Sequence, residues 1–511
     1  MSELADLART AGLEVIGSDV QRRSDVDPAH FIGMGKVAAL RDMKLEGEFD
    51  LVVCNEDLSP RQQRNLELEL KARVLDRTEM ILEIFAQHAR THEGRLQVEA
   101  ARLHHLLPRL IGAYAYDRQV GGRRGGVGAR GGDLIPPYLF AEIDRKVQAK
   151  RRAGVDVISL GIGDPDLPTP GRIVSVLQET AADPSNHRYP SYFGLAELRE
   201  AIALWYRDRS GVELDPATEI LPTLGSKDGI SHAPLALVDP GEVVLTPDPG
   251  YTVYVTGAVM AGAEPYVMPL TESNHWLPDL DAIPAGVLDR ARLMWLNYPN
   301  NPTAATADRG FLERAVEFCR RHEIVLCHDA PYSEIAFDGY RPLTLFEIPG
   351  AKEIGLEFHS LSKTYNMTGW RIGWVCGRAD LVGLIGQLKT NIDSGIFQAV
   401  QWAAIEAMNG GEEETRAACA VYARRHRLVA DTLNSLGWKI KPPRATFYVW
   451  APVPAGYDSI GFANHVLDAV GVNITPGVGF GPHGEGYFRL SVTAPDARLE
   501  EAMTRMRKLE L

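Results

Sequence analysis

At 511 residues the chain is long enough for roughly three domains, each with a core of its own. A hydrophobic fraction of 45% and a charged fraction of 24% fit an ordinary globular protein and exclude a disordered or membrane-class chain. The formal charge of −13 argues against non-specific nucleic-acid binding by the whole chain, because such binding needs a neutralising basic surface.

The opening residues, MSELADLART, show no basic segment followed by an apolar one, and no later stretch approaches the roughly 20 apolar residues that span a bilayer. Neither secretion nor membrane insertion is expected. Cys54, Cys319, Cys327, Cys376 and Cys419 are odd in number and widely spaced, and they form no CxxC pair and no metal-ligand cluster. A cytoplasmic protein without a metal site is the expectation.

The first segment reads as α/β. FDLVVCNE, residues 49–56, has the pattern of a buried strand, and Ser59-Pro60 supplies an N-cap and a first-turn proline for a following helix. Leu96, Ala100, Leu103, Leu107 and Leu110 recur at spacings of three and four, an apolar stripe suited to a helix hairpin. Apolar periodicity stops at the Gly/Arg-rich stretch 121–132, which reads as a solvated linker.

From Val155 the pattern changes to short β-rich runs separated by helical windows. VDVISLG, EVVLTPD, EPYVMPL, RLMWLNY, EIVLCHD, LEFHSL and RIGWVCG are the candidate strands of a mostly parallel sheet. TFYVWAPV and YFRLSV, then a final helix capped by Asp496 with Leu499, Met503, Met506 and Leu509 inward, read as a smaller α+β domain.

The run SLSKTYNMTGWRIGW, residues 360–374, places a lysine after a strand, between two serines and a downstream arginine. Lys363 can hold an aldehyde cofactor as an imine. Pyridoxal phosphate needs such an amine, and Ser360, Ser362 and Arg371 are of the types its phosphate requires. A solvated Lys363 and a structural arginine fit the spacing equally well.

Asp329, ending the run EIVLCHD, can pair with a pyridinium nitrogen and keep the ring an electron sink, or can simply cap a strand. Tyr332 and Asn301 can donate to a phenolate oxygen, although Asn301 in NYPNNPT is also a good turn residue. In LGSKDGI a strand meets a helix, so the amides of Ser226 and Lys227 face an anion, as at any such turn. Tyr251 can stack on a cofactor ring or sit in a core, and Arg489 can grip an α-carboxylate or pair with an acid at a strand edge.

These segments, with PPYLFAEIDRK, LGIGDPDLPTP, NHRYPSYFGLAELREAIA, HDAPYSEIAFDGY, NIDSGIFQAVQ and GEGYFRLSVT, make residues from about 133 to 511 resemble the fold-type I aminotransferases, most closely the LL-diaminopimelate aminotransferases. The resemblance implies a seven-stranded, mostly parallel large domain over 170–395 and a small α+β domain built from 132–169 and 396–511. It implies that Lys363 binds pyridoxal 5′-phosphate and that Asp329 meets the ring nitrogen. Asn301 and Tyr332 would meet the phenolate oxygen, and Ser226, Lys227, Ser360, Ser362 and Arg371 would surround the phosphate. A homodimer with shared active sites follows, with Tyr189 reaching into the partner's site, Gly163 beside the substrate carboxylate, and Tyr138 and Tyr192 lining the substrate pocket. The chain departs from the family pattern at Ala304, Pro331 and Thr252, none of them a reacting group. The expected reaction is amino transfer between LL-2,6-diaminopimelate and 2-oxoglutarate, serving lysine biosynthesis; other small-acid donors such as aspartate, alanine or aromatic amino acids are the alternative.

Residues from about 13 to 131 resemble the N-terminal domain of the HflX-type ribosome-associated GTPases through FIGMGKVAAL, DLVVCNEDLSPRQQRNLE, VLDRTEMILEIFAQHARTHEGRLQVE and LHHLLPRLIG. No G-x-x-x-x-G-K-[ST] loop occurs anywhere in the chain, so GTP hydrolysis is not expected. The resemblance implies a weak ribosome contact, or else a fused segment without a task of its own.

Overall fold

The computed structural model describes residues 2–18, 31–45, 49–56, 58, 60–88 and 139–509. The helical stripe from Leu96 to Leu110, the 121–132 linker and Tyr138 lie outside the described residues. The chain divides into two compact units, Met1–Arg130 and Gly131–Leu511.

In the first unit, strands β1 (Leu51–Val53) and β2 (Arg73–Leu75) pair in parallel, Leu51 opposite Arg73. The helix after β1 begins at Pro60, where a missing N–H costs nothing. Asp76 and Glu79 form a reciprocal cap on the helix Arg77–His88: the Asp76 carboxylate accepts from the Glu79 amide at 2.8 Å, and the Asp76 amide donates to Glu79 at 3.3 Å. Val37, Leu58, Leu66, Leu70 and Val74 form the core.

The second unit is built on a seven-stranded sheet. Its strands are β4 (Ile220–Thr223), β5 (Val243–Asp248), β6 (Glu264–Pro269), β7 (Ala291–Leu296), β8 (Val325–Asp329), β9 (Gly355–Ser360) and β10 (Gly373–Gly377); the short β3 (Ile158–Ser159) lies outside this sheet. The order is β4-β10-β9-β8-β7-β5-β6, parallel except for β10, which runs against both neighbours. Helices cover both faces, so β5, β9 and β10 are buried along their whole length. This is why those strands show no alternation of apolar and polar residues, and why the polar Glu357 and His359 of β9 are buried.

One sheet strand, β4, is absent from the strands expected. It is four residues long, contains Pro222, and lies at the sheet edge, the one place where a missing N–H is tolerated.

A second, three-stranded antiparallel sheet joins β11 (Tyr448–Pro452), β13 (Thr475–Pro476) and β14 (Tyr487–Ser491) in the order β11-β14-β13. A short parallel pair ties β3 to β12 (Val472–Asn473), and Ile158 and Leu160 are buried in the same core as Phe447, Phe462, Phe488 and Leu490. The final helix spans Asp496–Met506 with Leu499, Met503 and Met506 buried. Its N-cap is Pro495 and not the expected Asp496; the Asp496 carboxylate instead accepts from Arg425 at 2.6 Å and Arg424 at 2.5 Å. Two guanidiniums outcompete the helix amides for it. Among the described residues, no helix is long and apolar enough to cross a membrane.

Candidate active site

Parallel strands all end on one edge of a sheet, and ligands of such sheets bind outside those carboxyl ends. Here β4 leads to Gly225 and Ser226, β5 to Tyr251, β7 to Asn297 and Asn301, β8 ends in Asp329, and β9 ends in Ser360 just before Lys363. Because β10 is antiparallel, its entry residue Arg371 arrives at the same edge.

Lys363 lies in the single-turn helix Leu361–Thr364, which Ser360 caps by accepting from the Ser362 amide at 3.1 Å. Its Nζ donates to the Gly163 carbonyl at 3.0 Å and sits 5.8 Å from the centre of the Phe447 ring. Burial brings the Lys363 ammonium down to about 8; Asp164 works against this, while Arg489 and Arg371 add to it. A substantial fraction of neutral amine near neutral pH is the consequence.

Asp329 faces the same space from the neighbouring strand. Its Oδ2 accepts from the Tyr254 hydroxyl at 2.6 Å, whereas its Oδ1 is buried without a hydrogen-bond partner. Burial pushes this carboxyl up to about 7, against the pull of Tyr254, His328 and Lys363. Lys363 and Asp329 therefore act on each other's ionisation, as one shared site requires. The Asp329 carbonyl is held by Asn297 Nδ2 at 2.7 Å, and Asn297 Oδ1 accepts the Asn301 amide at 2.8 Å, so one side chain fixes both.

Asn301 Oδ1 accepts from Arg489 Nη1 at 2.6 Å, which leaves its amide hydrogens as donors to the site. Arg489 also donates to the Gly161 carbonyl at 2.6 Å, and its guanidinium lies 4.2 Å from the Tyr448 ring centre and 4.5 Å from that of Phe480. The Tyr332 and Tyr448 hydroxyls are 2.9 Å apart. Tyr251 makes an edge-on contact with Tyr254 at 5.8 Å.

The helix Ser226–Leu237 starts at Gly225, whose φ of 82° favours glycine. A Cβ there would lie 2.3 Å from Arg371 Nη2, which donates to the Leu224 carbonyl at 3.0 Å. Backbone amides of a helix N-terminus and a guanidinium thus meet at one point, an anion cradle that admits no side chain. Lys227 follows in the first turn of that helix. Tyr189 is 88% exposed and Tyr192 47%, so neither is covered by its own chain. Ala304 holds a left-handed φ of 59°.

The family model for "Aminotransferase class I and II" matches residues 155–506. The chain belongs to the class I and II aminotransferases. It is 56% identical over 373 residues to an LL-diaminopimelate aminotransferase of Desulforudis audaxviator, covering 73% of this chain and 95% of that one, and 53% identical to its namesake from Moorella thermoacetica, covering 73% and 96%. Among solved structures, substrate-bound BacF from Bacillus subtilis superposes with a TM-score of 0.72 at 37% identity, covering 76% of this chain and 98% of that one. Upstream, residues 1–86 match the family "GTP-binding GTPase N-terminal" and 88–153 the "GTP-binding GTPase Middle Region". The second match runs past Gly131 and takes in the helix Leu139–Arg152.

Class I and II aminotransferases use pyridoxal phosphate, and the residues present fit it. The unpartnered Asp329 Oδ1 offers an acceptor to a ring N–H, the Gly225–Arg371 cradle offers donors to a phosphate, and a half-buried amine lies in the same site. Three contributors escaped the sequence reading: Tyr254, Tyr448 and Asn297. Tyr254 stands in the first turn of the helix Val253–Met260, three residues after Tyr251, and that nearness to a named site residue is the one signal the sequence offers for it.

Gly163 is confined from both sides. A Cβ there would lie 2.1 Å from the Tyr448 hydroxyl, while its carbonyl receives Lys363. Gly163→Ala is expected to displace Tyr448 and lower stability by about 1–3 kcal/mol, the usual cost of overpacking. Thermal melts of the two proteins side by side measure it, and unchanged melting would show that the loop yields freely.

Proposed function

We propose that this aminotransferase moves an amino group between LL-2,6-diaminopimelate and 2-oxoglutarate, in lysine biosynthesis, with pyridoxal 5′-phosphate held at Lys363. The observation that carries the chemistry is a half-buried amine of lowered proton affinity in one site with a buried carboxylate oxygen that has no partner, at the ends of adjacent strands. The substrate assignment is supported by the names of the relatives at 53–56% identity.

When bound, the cofactor supplies an aldehyde for exchange of amines and a protonated ring that accepts the electron pair left at the substrate α-carbon. Asp329 Oδ1 keeps the proton on the ring nitrogen. The Lys363 amine would take the proton from the substrate α-carbon and deliver it to the cofactor carbon C4′. Tyr332 and the Asn301 amide hydrogens would donate to the phenolate oxygen, and Tyr251 would pack against the ring. Ser226, Ser360 and Ser362 would donate to the phosphate, and Lys227 and Arg371 would neutralise its charge.

Arg489, already aligned by Asn301 and Gly161, receives the α-carboxylate beside Gly163, and Tyr192 lines the remainder of the pocket. The exposed Tyr189 fits a dimer in which it completes the partner's site.

A panel of amino donors with 2-oxoglutarate tests the substrate. The largest kcat/KM is expected with LL-diaminopimelate, and far faster turnover of aspartate or alanine would replace it with that donor while leaving the chemistry in place.

A further inference from the structure

On β8, His328 directly precedes Asp329 and is 1% exposed. Both of its ring nitrogens face acceptors. Nε2 lies 3.0 Å from the Tyr298 carbonyl oxygen, which can only accept, so Nε2 carries a hydrogen. Nδ1 lies 2.9 Å from Glu357 Oε2.

Glu357 is itself held from three other sides. Its Oε1 accepts from the Tyr206 hydroxyl and the Thr344 hydroxyl, both at 2.8 Å, and its Oε2 accepts from the Leu345 amide at 2.8 Å. The hydrogen shared between Nδ1 and Oε2 completes this set. Burial works to raise the Glu357 carboxyl, but the His328 hydrogen bond, the Leu345 amide and His359 hold it down to about 2. Cys376, the remaining polar neighbour, donates to the Tyr206 hydroxyl at 3.3 Å and leaves the pair undisturbed.

His328 also touches the loop that carries Asn301. Tyr298, whose carbonyl it grips, stands three residues before Asn301, and Asn297 ties the same loop to the Asp329 carbonyl. Asn301 in turn holds Arg489.

We propose that His328 is a positioning residue for amino transfer: a buried imidazole, hydrogen-bonded to Glu357, that fastens the Asn301 loop to β8 behind the Asp329 carboxylate. The proposal rests on the reading that Asp329 meets the cofactor ring. It adds that the loop facing Asp329 is held from the opposite side of the strand.

Proton NMR of the full chain labelled in its histidines tests the contact without any substitution. A slowly exchanging imidazole N–H close to Tyr298 is expected, and its absence overturns the proposal. His328→Gln in the holoenzyme tests the role. We expect the cofactor to dissociate with a constant raised roughly 10- to 100-fold and kcat to fall by a similar factor, KM for the amino donor moving little, as for a small misplacement of reacting groups. Cofactor affinity and kcat within twofold of the parent would overturn it. If His328→Gln does not fold, Glu357→Gln gives the second reading: the slow imidazole N–H must exchange faster, and unchanged exchange overturns the lock. Failure of the cofactor reading itself shows elsewhere, as an absorption band that survives loss of Lys363.

Discussion

Lys363→Ala is expected to lose transamination by on the order of 10⁴-fold or more, because one side chain is both the point of attachment and the proton carrier. The imine absorption of the bound cofactor should give way to that of the free aldehyde. Pyridoxal phosphate would still be expected to bind, since the Gly225–Arg371 cradle and Asp329 remain, so a protein that holds the cofactor but is not joined to it by borohydride reduction is the anticipated product. Retention of the imine band would move the attachment to another amine. The pH behaviour offers a finer check. Only the neutral amine attacks an aldehyde, and burial sets the Lys363 ammonium at about 8 and not the ordinary 10.5. The rate at which the cofactor-free chain captures pyridoxal phosphate should climb about tenfold per pH unit below 8 and flatten above it. A climb that continues to pH 10 would mean that the amine is solvated.

Much of this site was legible beforehand, for a reason that lies in the sheet. Strands buried on both faces write themselves as runs without alternation, and the polar residue that ends such a run stands at the edge where parallel strands present their ligand-binding groups. Asp329 after EIVLC and Ser360 after LEFH are of this kind, and Lys363 follows within a turn. What stayed hidden depends on pairing across long stretches of chain. Tyr448 meets Tyr332 across more than a hundred residues, and nothing in TFYVWAPV marks one aromatic as different from its neighbours. His328 is invisible for a related reason: its partner Glu357 lies on the next strand, and an isolated histidine in a strand is more often a core residue. The short strands β4, β12 and β13 fall below the length at which apolar alternation can be read, and β4 and β13 each contain a proline. Asp496 shows the opposite failure, in which a residue of the right type at the right place was claimed by Arg425 and Arg424 from a distant helix.

Asp329→Asn is expected to separate stability from activity. In the cofactor-free chain the carboxyl is pushed up to about 7 by burial from an ordinary 3.8, so at pH 8 the folded state holds an ionised group in a place that disfavours charge. The sign follows from proton counting. Between about pH 3.8 and 7 the folded chain keeps a proton that the unfolded chain has released, so stability falls as pH rises through that window and stays low above it. At full size the penalty is about 4 kcal/mol. Asparagine never ionises, and Tyr254 can still donate to its oxygen. Its amide hydrogens, set where Oδ1 lacks a partner, cost about 1–3 kcal/mol in return. The cofactor-free variant should therefore melt about 1–4 °C above the parent at pH 8, with the gain gone or reversed near pH 4. Activity should move the other way, with kcat down by about 10²–10³, the usual loss when a fixed group that stabilises developing charge is neutralised. Calorimetry of both proteins at the two pH values, beside turnover of the holoenzymes, decides it. Equal melting at pH 8 would mean that Asp329 is solvated, and undiminished kcat would remove it from the cofactor ring.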